Sequence, residues 1–209
     1  MKRVAAIFVL ALLSGATMRA QIVDRVLAVV AGQVITLSDT RAVQTFGLLR
    51  PVAAQQGPPD LLVYLVNRQL MLMEVDRYSA PDPEPAQVDR VVASIRARFS
   101  TDAEYQQALN RTAMTDGRLR ATVADNLRIE LYLDQRFSAA AQPTPDEMQR
   151  YYQVHRAEFT KGGRLLTFDD VQQLVQEQVA MARRTTLVAD WLDQLRRRAD
   201  VTTMPGLGR

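Results

Sequence analysis

The chain has 209 residues, no cysteine, a single histidine, and 26 basic against 23 acidic residues. The lack of cysteine excludes a disulfide framework, thiol catalysis and cysteine-ligated metal. A chain of this length can bury a core by apolar packing alone, as one domain or two small ones.

The N-terminus has the pattern of a secretory signal peptide. Two basic residues are followed by ten apolar residues and then by a segment rich in small residues. Ten apolar residues are too few for a transmembrane helix, which needs about 20. We predict a signal peptide over 1–20, cleaved between Ala20 and Gln21 or, alternatively, after Ala16. The mature protein is then expected in the periplasm, with no stable membrane insertion after cleavage.

Removal of the signal peptide changes the charge of the chain. The peptide contains Lys2, Arg3 and Arg19 but no acidic residue, so 23 basic and 23 acidic residues remain. A nucleic-acid partner requires an excess of cations that displaces phosphate counterions. We therefore expect no nucleic-acid partner.

The mature chain opens with a predicted β-hairpin and continues mainly as helices. Two β-branched runs within 23–37, joined by a glycine-containing link, favour the hairpin. Ser38 and Asp39 are the predicted N-cap of the first helix. The helix after a linker at 50–60 is apolar nearly all round, which predicts a central, buried position. The predicted helices are 38–46, ended by Gly47, then 60–78, 85–99, 101–111, 115–137, 145–159 and nearly thirty residues from 167, before a strand at 201–204.

Three segments carry patterns that occur together in a known family. Residues 22–39 have the pattern D-x-V-x-A-V-V, then V-I-x-x-S-D, and residues 151–159 have the pattern Y-Y-x-x-H-x-x-E-F. Residues 167–201 form the third segment, a long helix followed by a strand. In this order the three segments resemble the N-terminal chaperone domain of SurA-type periplasmic foldases.

The resemblance implies a fold class and a domain organisation. The fold is expected to be mainly α-helical, with a small β-sheet in which the hairpin 23–37 is joined by the C-terminal strand 201–204. A helical chaperone domain is expected over 21–137, followed by a linker and a helix at 138–166. The helix and strand within 167–209 are expected to pack back on the chaperone domain.

The sequence departs from the family at one place. A prolyl isomerase domain of the parvulin type usually lies between the second and third segments, whereas only residues 160–166 lie there in this chain. Seven residues are too few for a folded domain. We therefore expect no isomerase activity, and a chaperone that holds unfolded exported or outer-membrane polypeptides without ATP. The alternatives are an isomerase relative with lost or residual activity, and an adaptor subunit for one specific envelope partner.

No catalytic, cofactor-binding or metal-binding residue is predicted. A nucleophile system would depend on His155, for which a packing or capping role is the better interpretation. The carboxylate pairs at 146–147 and 169–170 lie at helix starts, where the helix dipole stabilises negative charge. The arginines at 183–184 and 196–198 are expected on the solvated face of the last helix.

The residues predicted to bind client polypeptides are methionines and aromatic residues on the helices. Methionine is flexible and fills irregular apolar contacts, as a promiscuous binding surface requires. Core packing is the alternative for the same residues, since they lie on apolar faces. The predicted set is Tyr64, Met71, Met73, Phe99 and Met181.

Overall fold

A computed structural model describes residues 24–49 and 60–204. The predicted signal peptide 1–20, both candidate cleavage points and most of the predicted linker 50–60 lie outside the described residues. Within these ranges the chain is mainly helical, as predicted. The helices are α1 Leu37–Phe46, α2 Leu61–Arg77, α3 Pro85–Arg96, α4 Asp102–Arg111, α5 Asp116–Phe137, α6 Pro145–Val154 and α7 Phe168–Arg198.

The two ends of the described chain meet in one small antiparallel sheet. Strands β1 Val26–Val30 and β2 Gln33–Thr36 form the predicted hairpin. Ala31 and Gly32 have φ values of 46° and 84° at its turn, as a type I′ turn requires. Strand β5, whose bounds are Val201–Thr203, pairs antiparallel with β1, which gives the order β2-β1-β5. The predicted union of the hairpin with the C-terminal strand is confirmed.

The N-cap of α1 lies two residues before the predicted Ser38. Thr36, not Ser38, is the N-cap, because its extended backbone lets the Thr36 hydroxyl accept a bond from the Asp39 N–H. The Asp39 carboxylate in turn accepts from the Thr36 N–H at 2.8 Å, which completes a capping box. Gly47 ends the helix, as predicted, in the left-handed region at φ 56°. A side chain at Gly47 would collide with the guanidinium of Arg98.

Helix α2 is the central helix, as its apolar sequence predicts. It contacts α1, α5, α7 and both strands of the hairpin. Its buried side chains are divided between two core clusters, one on the side of the sheet and α7, the other on the side of α1, α3 and α4. The largest buried side chains of the first cluster include Met71, Tyr132, Phe137 and Trp191, and those of the second include Phe46, Tyr64, Ile95 and Tyr105.

A third cluster lies between α6 and the N-terminal half of α7. Helix α6 ends at Val154 rather than at the predicted Phe159, because His155 leaves the helical conformation. One 3-10 turn at Arg156–Phe159 follows and brings Phe159 into this cluster. Strands β3 Thr160–Lys161 and β4 Arg164–Leu165 then form a short hairpin before α7. We call α6, the turn, this hairpin and the first half of α7 the α6–α7 unit.

Helix α7 joins the unit to the rest of the protein. Its 31 residues span about 46 Å. Val171 and Val175 of its first half are buried in the α6–α7 unit, and Trp191 and Leu195 of its second half are buried against α2 and the sheet. One helix therefore contributes to two core clusters.

Candidate client-binding surface

Two of the five predicted client-binding residues are core residues. Met71 has an exposed fraction of 1%, in the cluster with Trp191. Tyr64 has an exposed fraction of 9%, and its hydroxyl donates a 2.8 Å hydrogen bond to the carbonyl of Leu48. A client could contact these two side chains only if the core opened.

Phe99 occupies an intermediate position. Helix α3 ends at Arg96, not at the predicted Phe99, and an N–H of Phe99 closes a tight turn onto the Arg96 carbonyl at 3.1 Å. This turn directs the half-buried ring toward Phe46 and Tyr105, with ring centroids 5.9 Å and 5.5 Å away. Most of the Phe99 side chain therefore packs against core residues.

The other two predicted residues are exposed. Met73 on α2 has an exposed fraction of 40%, and Met181 on α7 has one of 71%. Met71 and Met73 lie on the same helix but two residues apart, so they face about 200° away from each other. Of the predicted set, Met73 and Met181 are the side chains that a client can contact directly.

The α6–α7 unit exposes further apolar side chains that the sequence analysis did not select. Val154 has an exposed fraction of 77%, Leu174 one of 46% and Leu165 one of 38%. Leu174 and Met181 are seven residues apart, which places them on the same face of α7 two turns from each other. We call this pair the α7 patch. The signal was present in the sequence, because the apolar residues of α7 exceed the single row that packs on α6.

The polar groove beside the hairpin is occupied by internal hydrogen bonds. It has a volume of about 290 Å³ and lies between β2, α1, α2 and α5. On its wall Arg68 Nε donates to the Asn126 amide oxygen at 2.6 Å, and Arg68 Nη2 donates to Asp125 at 3.1 Å. Buried polar groups of this kind must be satisfied, and here the protein satisfies them itself. We therefore interpret the groove as a structural contact between α2 and α5.

His155 lies at the C-cap of α6, in agreement with a packing or capping role. Its Nδ1 is 2.9 Å from the Tyr151 carbonyl, and its ring stacks on the Tyr151 ring with centroids 3.9 Å apart. The described residues contain no group of three His, Asp or Glu side chains that could hold a metal ion. In the same ranges, no helix has the length and hydropathy of a membrane span.

One carboxylate of each pair at the helix starts accepts capping hydrogen bonds. Glu147 accepts from the Thr144 N–H at 2.8 Å, and these bonds from the Thr144 backbone and hydroxyl hold the pKa of Glu147 below its usual value. Asp170 accepts from the hydroxyl and the N–H of Thr167, which lower the pKa of Asp170. Hydrogen bonds donated to a carboxylate stabilise its charged form, which accounts for the lowered pKa of both groups.

The arginines of α7 are paired with other elements and not only solvated. Arg183 contacts Glu147 of α6 at 3.1 Å, and Arg184 contacts Asp134 of α5 at 2.6 Å. Farther along the helix, Arg196 Nε donates to the buried side chain of Asn67 at 2.8 Å. The prediction of a wholly solvated face is therefore incomplete, because three of these arginines fix α7 against its neighbours.

Comparisons with known proteins identify the fold. No protein-family model matches the sequence, and no curated protein is similar to it at a significant level. Among solved structures, the chain is similar to one from Campylobacter jejuni, described in work on the virulence factor PEB4 and the periplasmic protein Cj1289 as structurally related SurA-like chaperones. The TM-score is 0.53 at 12% identity, over 88% of this chain and 100% of that chain. The chain therefore has a SurA-like fold.

Proposed function

We propose that this chain is an ATP-independent periplasmic holdase that binds unfolded exported polypeptides, including outer-membrane protein precursors. The observation that carries the proposal is the α7 patch, where Leu174 and Met181 are exposed on a helix that already packs on another face. Exposed apolar surface on a monomer is costly to maintain and is typical of interaction sites. The SurA-like fold supports the same function, since the similar C. jejuni proteins are described as chaperones.

We further propose that the chain has no prolyl isomerase activity. Between the 3-10 turn and α7 the chain forms only the β3–β4 hairpin, turned by Gly162 and Gly163. A proline-peptide isomerisation assay on the purified protein is expected to give the uncatalysed rate. A rate above that background would favour the alternative of an isomerase relative with residual activity.

The holdase activity is tested by suppression of aggregation. An outer-membrane protein is diluted from urea without ATP, and light scattering is followed with and without the purified protein. Suppression is expected at stoichiometric excess. The double variant Leu174→Gln, Met181→Gln should suppress less per molecule, because the variant removes apolar contact area without disturbing a buried side chain.

The matched control is Val63→Gln on α2. Val63 has an exposed fraction of 38%, so its replacement also removes exposed apolar surface, but on a different helix. The control should retain suppression. If the unmodified protein fails to suppress aggregation, the holdase proposal is wrong. Crosslinking in the periplasm then tests the adaptor alternative, which predicts one dominant partner instead of many.

A further inference from the structure

The guanidinium of Arg136, at the end of α5, lies among four aromatic rings. The Arg136 guanidinium carbon is 5.6 Å to 6.0 Å from the ring centroids of four aromatic residues, and Arg136 Nη1 donates to one hydroxyl at 3.2 Å. At these distances each ring face attracts the cation. The four rings are those of Tyr78, Tyr132, Phe137 and Trp191.

Arg136 differs from the other arginines of α5 in its charge partners. Arg118, Arg120 and Arg128 each form an ion pair with an aspartate. Among the described residues, no carboxylate lies within ion-pair distance of Arg136. A guanidinium has five N–H donors, and a single phenol oxygen satisfies only one of them. The other four N–H donors have no hydrogen-bond acceptor within the described ranges 24–49 and 60–204.

The same guanidinium lines a cavity. The cavity has a volume of about 360 Å³ and is walled by Tyr78, Tyr132 and the turn at 79–81, with Gln135 beside Arg136. Tyr78 has an exposed fraction of 56% and stacks on Tyr132 with centroids 6.0 Å apart. The wall is thus mainly an apolar platform, with the Arg136 guanidinium at its edge. Small-ligand sites have this composition, mainly apolar with a few polar groups that fix orientation.

We propose that this cavity binds the C-terminal residue of a client polypeptide, with the terminal carboxylate on Arg136 and the last side chain on the platform of Tyr78 and Tyr132. A planar guanidinium pairs with a carboxylate through two parallel hydrogen bonds, so Arg136 is suited to bind the terminal carboxylate. The inference rests on the proposed function, because it names the part of an unfolded chain that the holdase recognises.

A chain terminus fits this site better than an acidic side chain does. At a terminus the carboxylate and an apolar side chain are attached to the same carbon, so both fit within one small cavity. The Asp and Glu side chains carry their carboxylate on a short methylene stem and have no further apolar group, so they would leave most of the aromatic platform uncovered. Capture of a terminal carboxylate is also an established mode of peptide recognition.

Trp191 provides a direct measurement. It is the only tryptophan, and its ring lies 5.7 Å from the Arg136 guanidinium carbon. The fluorescence of the purified mature protein is titrated with acetyl-Ala-Ala-Ala-Leu as the free acid, with the same peptide as the amide, and with acetyl-Ala-Glu-Ala-Leu amide. The free acid should bind at least about tenfold more tightly than either amide, as the loss of a charge-assisted hydrogen bond predicts.

Two variants locate the binding. Arg136→Gln should reduce the preference for the free acid to less than about twofold, whereas Arg90→Gln, the same change at an exposed arginine of α3, should leave it unchanged. Equal binding of the acid and the amide to the unmodified protein, or no saturable change with the acid, overturns the proposal without any variant. Tight binding of the glutamate amide overturns it as well.

The holdase assay is run on the same preparations. If the preference for the free acid is absent while aggregation is still suppressed, only the terminus site is wrong. If the acid binds as predicted while aggregation is not suppressed, the holdase function is wrong and the site stands.

Discussion

Tyr105 joins three helices through one buried side chain. Its exposed fraction is 1%, its ring meets Phe46 and Phe99, and its hydroxyl donates to Asp116 at 2.6 Å. Burial, and then the bond to Asp116, raise the pKa of Tyr105 to about 12. Because Asp116 is in the first turn of α5, this bond ties α4 to the start of α5.

The variant Tyr105→Phe should lower the free energy of unfolding by about 1 to 2 kcal/mol, because Asp116 loses a buried donor. Urea denaturation at pH 7 measures the change. In the unmodified protein the raised pKa means that the unfolded chain ionises first, so this contribution is complete below pH 10 and is lost as pH rises through about 12. Tyr105→Phe should lack that alkaline loss, and an unchanged urea midpoint at pH 7 contradicts the account.

Ala113 ends α4 in a conformation that favours glycine. Its φ is 50°, and the Met114 N–H donates to the Leu109 carbonyl at 3.0 Å, the pattern of a Schellman motif. Alanine in the left-handed region is strained, whereas glycine is not.

Ala113→Gly should therefore raise the free energy of unfolding by up to about 1 kcal/mol. Ala103→Gly, the same substitution within α4 at an exposed position, should lower it by about 0.5 to 1 kcal/mol. Urea denaturation of both variants measures whether each substitution raises or lowers the free energy of unfolding. A destabilised Ala113→Gly would show that the turn at Ala113 is not left-handed in solution.

At the scale of elements, the caps of α6 and α7 make the α6–α7 unit sensitive to acid. The hydrogen bonds from Thr167 lower the pKa of Asp170. A carboxylate with a lowered pKa contributes stability above its unfolded value near 4, and that contribution is lost as pH falls through the lowered value.

Asp170→Asn should lower the melting temperature at pH 7. Between pH 7 and pH 3, the melting temperature of this variant should fall by less than that of the unmodified protein. Asp169→Asn removes the same charge from the same turn, but Asp169 makes no cap bond in the structure, so its effect should be smaller. Circular dichroism melts at pH 7 and pH 3 compare the three proteins. Identical melting temperatures for the two variants at both pH values would mean that the Asp170 cap does not cause the sensitivity to acid.

Strand β5 is held to β1 by main-chain hydrogen bonds, and the register of this pairing can be tested. Ala31 N–H donates to the Asp200 carbonyl, and Met204 N–H donates to the Leu27 carbonyl. Since hydrogen-bonded pairs alternate in an antiparallel ladder, the Thr202 N–H points toward β1 and the Thr203 N–H points away.

Thr202→Pro should therefore destabilise the protein by about 0.5 to 1.5 kcal/mol more than Thr203→Pro, because only the first removes a ladder bond. Urea denaturation of both variants measures the difference. Equal losses would mean that β5 does not pair in this register.

The elements could largely be predicted from the sequence, because their signals are local. The cap at Thr144, the glycine at Gly47 and the hairpin turn each lie within a few residues of what they determine. The misplaced boundaries depend on distant contacts. His155 ends α6 so that Phe159 can reach the third cluster, and no local signal indicates that requirement.

For the whole molecule, exposure is the property that the sequence analysis could not supply. Met71 and Met73 have the same chemistry and lie two residues apart, yet only the packing of α2 between two clusters decides which is buried. Arg136 was not selected either, because its four aromatic neighbours come from α5, α7 and the C-cap of α2. Candidate sites made by helix packing require the packing to be known.

Helix α7 contributes to two of the three core clusters, so the fold holds the α7 patch at a fixed place relative to α2 and α6. Arg183 and Arg184 connect that helix to α6 and α5 through ion pairs. A client bound at the patch would contact a preformed helix face, which lowers the ordering cost of binding.

The most direct test of the holdase function compares two states of one client. The affinity of the purified protein is measured, without ATP, for an outer-membrane protein diluted from urea and for the same protein folded in detergent. A holdase should bind the unfolded form saturably and should not bind the folded form. Equal affinity for both forms, or binding of neither, contradicts the holdase function.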